Sequence, residues 1–174
     1  MSRDREKAVF SEGPLKVGLI FLPPDGWKVE REVTVDLSSI WAGAGELELH
    51  SLRLGPDPKE LEKTLKSWTK RGEMAVICVV GKSGHRPDDF APEVTRGLLH
   101  RSLPGIEERM YLASPRRPEE MLFRGAAGIR RETMIVNLPS RPARVRQILR
   151  FIAPVLRHAV DKIAGDESEC AVAG

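Results

Sequence analysis

The chain has 174 residues, 41% of them hydrophobic, with 28 basic residues against 25 acidic for a net charge of +3. That apolar content excludes a mostly disordered chain, and the length suits one domain with a full core. The charges are interleaved along the chain, which excludes the clustered basic stripe of a duplex-binding protein and suits a small anionic ligand. No run reaches the roughly 18 uncharged apolar residues of a membrane span, and the opening MSRDREKAVF has no apolar core behind its charges. A cytoplasmic protein is expected, with no membrane and no nucleic-acid partner. Cys78 and Cys170 lie far apart and His50, His85, His100 and His158 are scattered, so neither a disulfide framework nor a structural metal site is indicated.

In chain order, Lys16 to Leu22 is an apolar run closed by Pro23-Pro24-Asp25-Gly26, which predicts a buried strand followed by a turn. Glu46 to Leu54 has a strand-like pattern with a slip. Asp57-Pro58-Lys59-Glu60 carries a helix start signature, with Leu61, Leu65 and Trp68 on one face and Gly72 as the stop. Met74 to Val80 is uninterruptedly apolar and too short for an ordinary helix, as in a strand covered on both faces. A helix is expected from Ala91-Pro92-Glu93 to about Ser102, a short one from Pro118, and a strand over Thr133 to Leu138. The longest helical pattern opens at Pro142, with Val145, Ile148, Leu149, Ile152, Leu156, Ala159 and Ile163 on one face. Pro154 inside it is expected to kink or break it. The alternation predicts an α/β fold: a three-layer α/β/α sandwich with a mainly parallel sheet. A single domain over 15–164 is expected, with flexible tails at 1–14 and 165–174.

Ligands of open α/β sheets bind beyond the carboxyl ends of the strands, which singles out the loop Gly81-Lys82-Ser83-Gly84-His85-Arg86-Pro87-Asp88-Asp89. Its glycines allow a sharp turn and close approach to an anion, and Lys82 and Arg86 add positive charge. A phosphate-binding P-loop is excluded because Val76 stands where its first glycine belongs, and a G-x-G-x-x-G fingerprint is absent. From the residues alone Asp89 is equally a helix cap, Asp36 a turn residue, Arg124 a solvated side chain and Asn137 a strand end.

Gly81 to Glu93 resembles, without gaps, the GGTG-x-x-x-x-D-x-TPE segment of the MogA/MoaB family of molybdenum-cofactor biosynthesis proteins, which includes the G domain of gephyrin. Met121 to Gly128 is similar to that family's MLSR-x-x-AG segment, and Asn137 to Pro142 to its NLPGSP. The similarity runs from about Met74 to Asp161. In the first half, Asp36-Leu37-Ser38-Ser39 is the nearest counterpart of the family's Asp-x-Ser-Gly segment, and Ile40 to Gly45 is too short for the helix usually found after it.

The resemblance implies a molybdopterin-binding fold and an adenylyltransferase. ATP with Mg²⁺ meets molybdopterin, whose terminal phosphate attacks the α-phosphorus to give adenylylated molybdopterin and pyrophosphate. It implies Asp36 and Asp89 as catalytic, Mg²⁺-linked carboxylates. It implies Ser38, Gly81, Lys82, Ser83, Gly84, Arg124, Gly128, Pro139 and Ser140 as substrate-binding, and a homo-oligomer, a trimer or hexamer. Departures are Lys82 for the second glycine of GGTG, Ser83 for threonine, Phe123 for the serine before the arginine, and Ser140-Arg141 for Gly-Ser. They raise the alternative of a homologue that binds molybdopterin or a related pterin without adenylyl transfer.

Overall fold

A computed structural model describes residues 13–70, 73–113 and 117–165. Strands β1 (Leu15–Phe21), β2 (Leu47–Arg53), β3 (Val76–Val80), β4 (Arg101–Ser102), β5 (Ala127–Arg130) and β6 (Thr133–Leu138) form one sheet in the order β2-β1-β3-β6-β5-β4. The first four strands in that order are parallel, while β5 is antiparallel to both β6 and β4. Helices α1 (Asp25–Trp41), α2 (Pro58–Trp68), α3 (Ala91–Leu98), α4 (Pro104–Leu112) and α5 (Pro142–Ile163) cover it.

Strand alternation divides the core into two layers. Val17, Leu19, Phe21, Val76, Cys78, Val80, Met134, Val136 and Leu138 pack with Val33, Leu37 and Trp41 of α1 and the apolar stripe of α5. Ile20, Ile77, Val79 and Ile135 face Leu61 and Leu65 of α2 and Ala91 and Leu98 of α3. This is the expected sandwich with a mostly parallel sheet. β3 and β6 are buried at every residue, which explains why β3 reads as an unbroken apolar run, while β6 buries Thr133 and Asn137 as well. Trp41, fully buried, ties α1 to α5 by donating from Nε1 to Leu149 O at 3.0 Å.

Asp57 caps α2 by accepting from Lys59 N at 2.9 Å, with Pro58 at the first helical position. The structure differs from the sequence reading in four places. The helix opened by Ala91 ends at Leu98, and Arg101–Ser102 turns back as β4. Asp25-Gly26 begins α1 instead of completing a turn, so Asp36 to Ser39 lie in that helix and not in a loop after the first strand. The helix expected after Asp36 is thus not shortened; it starts eleven residues earlier, at Asp25. α5 continues through Pro154 unbroken, and its packed stripe supports it there. Gly72 and most of the two tails lie outside the described residues.

Candidate functional site

The carboxyl ends of β1, β3 and β6 are bound to one another before any side chain enters. Leu22 N donates to Val80 O at 2.9 Å, and Gly81 N to Leu138 O at 3.1 Å. A Cβ on Gly26 would lie 2.4 Å from Val80 O, so the start of α1 is pressed against the end of β3. Gly81 turns the chain out with φ +96°, and a Cβ there would come within 3.0 Å of Leu22 O. Lys82 follows at φ +52°, in the left-handed region that glycine adopts freely and other residues rarely do.

A hollow of about 360 Å³ opens beyond these ends. One wall is the loop, through Lys82, Ser83, Gly84, His85, Arg86 and Asp89; another is Pro139, Ser140 and Arg141 with Arg144 of α5; the third is Glu119, Glu120, Leu122 and Phe123. Ser83 is buried, with Oγ donating to Leu138 O at 3.3 Å. The Asp89 side chain is only 3% exposed and accepts from Arg86 N at 2.9 Å. A Cβ on Gly84 would lie 2.8 Å from Asp89 Oδ2, so glycine there lets that carboxylate fold inward.

Most charges around the hollow are paired, although Glu120 Oε2 and Arg144 Nε are buried without a hydrogen-bond partner. Lys82 Nζ is bonded to Asp88, Arg86 Nη2 to Asp25 Oδ2 at 2.7 Å, and Arg141 Nη1 to Glu120 Oε1 at 2.7 Å. Hydrogen bonds from Arg86 and Lys82 hold the Asp25 and Asp88 carboxyls below their ordinary 3.8, and Asp25 in turn keeps Arg86 firmly protonated. Arg144 is 3% exposed. It donates to Glu120 O at 2.5 Å and Met110 O at 3.3 Å, and its guanidinium lies 4.6 Å from the Phe123 ring centroid. Burial lowers its pKa.

A second, open hollow of about 530 Å³ adjoins the first and shares His85, Arg86 and Asp89 with it. Its far side is Pro87, Phe90, Glu93 and Arg124. Arg124 braces the loop: Nε donates to Gly84 O at 2.6 Å, Nη2 to Asp89 O at 3.0 Å, and Nη1 is bonded to Glu93.

A family model described as "Probable molybdopterin binding domain" matches residues 38–158. The chain belongs to this family. It is 31% identical over 121 residues to a molybdopterin adenylyltransferase of Helicobacter pylori, a match covering 69% of each protein. It is 36% identical over 115 residues to the molybdenum cofactor synthesis protein cinnamon of Drosophila melanogaster, covering 65% of this chain but 19% of that protein. The crystal structure of the molybdopterin biosynthesis enzyme MoaB from Thermus thermophilus superposes with a TM-score of 0.74 at 34% identity, covering 87% of this chain and 98% of that one.

Within this molybdopterin-binding family fold, the structure brings Lys82, Ser83, Gly84, Asp89, Pro139 and Ser140 to one hollow, with Gly81 at its hinge. Three expected residues are elsewhere. Asp36 lines neither hollow; it accepts from Arg146 of α5 at 3.0 Å, about 16 Å along α1 from the end that adjoins the loop. Ser38 is exposed on α1 and donates to Thr34 O at 2.9 Å. Gly128 is a β5 residue whose absent Cβ makes room for Leu99 and Arg101 O.

Asp36 and Asp89 therefore do not face one hollow, which does not fit the expected pairing of the two on one ion. Among the described residues no three His, Cys, Asp or Glu side chains are grouped to hold a metal. Asp89 is the one of the two expected carboxylates that faces the hollows, and one or two carboxylates are the usual protein share for magnesium. The acid that the start of α1 does bring near the loop is Asp25, through Arg86. Its signal in the sequence was the Asp-Gly pair after the first strand. Arg144 also had one, since it lies four residues before Ile148 on the buried stripe of α5.

Proposed function

We propose that the protein adenylylates molybdopterin, with Mg-ATP as co-substrate. The observation that carries this reading is the pair of adjoining hollows with Asp89, Arg86 and His85 on their common wall. Transfer between two ligands requires that they meet at a shared point, and holding them there removes most of the entropic barrier. A hollow of about 360 Å³ is of the size that takes one small ligand. It does not hold molybdopterin and ATP together, and the second hollow supplies the other place.

In the reaction an oxygen of the molybdopterin phosphate attacks the α-phosphorus of ATP. A new P–O–P bond forms, the bond to the β-phosphate oxygen breaks, and pyrophosphate leaves with the electron pair. Both partners are anions, so the protein must orient them and offset repulsion. The backbone of Lys82 to Gly84 offers N–H groups, and the first turn of α5 a helix N-terminus, to phosphate oxygens. Asp89 is the carboxylate placed to face magnesium that arrives as part of Mg-ATP, one or two carboxylates being its usual protein share. Pro139 and Ser140 border the molybdopterin side. Arg124 keeps the loop in shape from behind.

The relatives named molybdopterin adenylyltransferase support the chemistry. Phe123, 7% exposed and stacked under Arg144, favours the second reading, binding of molybdopterin or a related pterin without transfer, because it fills space beside the hollow. The test is incubation of purified protein with molybdopterin and Mg-ATP. Adenylylated molybdopterin and pyrophosphate in equal amounts are expected; saturable pterin binding without either product selects the second reading.

A further inference from the structure

We propose that Lys82 is an anion-contact residue of the hollow, and that Asp88 is its internal counter-ion, displaced when a phosphate group enters. Lys82 stands where the family segment it resembles has glycine. Two features show that it is not a passive replacement. Its backbone is held at φ +52°, a conformation unfavourable for a non-glycine residue that persists only when its surroundings enforce it. Its side chain is 5% exposed and lines the hollow, whereas most lysines keep their ammonium in water.

A buried ammonium requires a partner, and here the partner is lopsided. Asp88, bonded to Lys82 Nζ, is itself 65% exposed. Its carboxylate can rotate into water at little cost, while Lys82 cannot leave without abandoning the strained loop. The surroundings limit what can replace Asp88. Arg86 and Arg141 are occupied by Asp25 and Glu120, Arg144 is buried and held by the main-chain oxygens of Glu120 and Met110, and Asp89 adds negative charge on the same wall; among these cations Lys82 is the one paired to a carboxylate that is mostly in solvent. A phosphate or pyrophosphate group brings more charge and more acceptor oxygens than one carboxylate, and the bond it forms with the ammonium is charge-assisted. Ser83 next to Lys82, and Ser140 across the hollow, border the place such a group would take. The inference rests on the reading that this hollow receives a phosphate-bearing ligand, but it does not depend on transfer occurring.

The test is calorimetric titration of the full chain with inorganic pyrophosphate, with no pterin present. Lys82→Met is expected to weaken binding about tenfold or more, the usual effect of losing one charged hydrogen bond. Asp88→Asn is expected to strengthen binding severalfold. It should also lower the melting temperature of the free protein, since it strands the buried ammonium, with pyrophosphate restoring it. Lys82→Met with Asp88→Asn should bind as Lys82→Met alone. Lys82→Gly guards against misfolding, because glycine relieves the φ +52° conformation; it should melt higher than the parent and still bind pyrophosphate weakly. The proposal is overturned if wild type shows no binding at millimolar pyrophosphate, if neither Lys82 variant weakens it, or if Asp88→Asn weakens it as much as Lys82→Met. Lys82-dependent pyrophosphate binding without adenylylated product would contradict the enzyme reading alone.

Discussion

Gly81 shows how tightly single positions hold the site. Its φ of +96° and the 3.0 Å approach of a Cβ to Leu22 O leave a side chain no room, so Gly81→Ala must either strain the turn or part β1 from β3. A loss of about 1–3 kcal/mol in urea unfolding is expected, with ligand binding reduced as well. Arg124→Ala should loosen the same loop from outside, because Gly84 O, Asp89 O and Glu93 all lose a donor. The acid pairs make a directional prediction. Asp25 and Asp88 have carboxyls held below 3.8, so the native protein releases their protons more readily than the unfolded chain. Their stabilisation is complete above that value and is lost as pH falls beneath it. Asp25→Asn should therefore flatten the acid limb of a stability-against-pH curve below 3.8, and an unchanged limb would show that Arg86 does not pair with it. Cys78 is wholly buried and its thiol is pushed up to about 12. In a Cys170→Ser background it should resist thiol reagents until the protein unfolds.

At the scale of elements, the strands and the helices with strong end signals were legible, and the weakly marked elements were not. β3 and β6 announced themselves because both faces are covered, and α2 because Asp57 and Pro58 mark its start. α1 was missed although Val33, Leu37 and Trp41 recur every four residues, because Pro23-Pro24-Asp25-Gly26 has turn chemistry and β-branched residues dilute its helix propensity. The expected carboxylate Asp36, chosen from its resemblance to an Asp-x-Ser-Gly segment, lies inside this helix. α4 was silent for a different reason: of its nine residues only Met110 is buried, so it has no stripe to read. β4 and β5 are two and four residues long, too short for a pattern. α1 and α5 hold each other through Trp41, and Trp41→Ala is expected to cost about 3–5 kcal/mol of unfolding free energy. Asp36→Asn removes a partly exposed pair with Arg146 and should cost less than about 1 kcal/mol.

Over the whole molecule, the three segments that carry the resemblance in the second half, the loop after β3, the segment before β5 and the start of α5, converge at the carboxyl end of the sheet. What the sequence could not show was how the charges resolve. A net charge of +3 suggested free cations for an anion, yet Lys82, Arg86, Arg124 and Arg141 each meet a carboxylate. An anion in the hollow would exchange with these pairs, bind through backbone N–H groups between them, or meet Arg144, whose buried Nε has no hydrogen-bond partner. Among the described residues no helix is long and apolar enough to cross a membrane. The most direct measurement is the rate of adenylylated molybdopterin formation from molybdopterin and Mg-ATP for wild type, Asp89→Asn and Asp36→Asn side by side. The account predicts that Asp89→Asn lowers the rate about a hundredfold or more while Asp36→Asn stays within about twofold of wild type. Equal losses at both positions, or a wild type that makes no product, would contradict it.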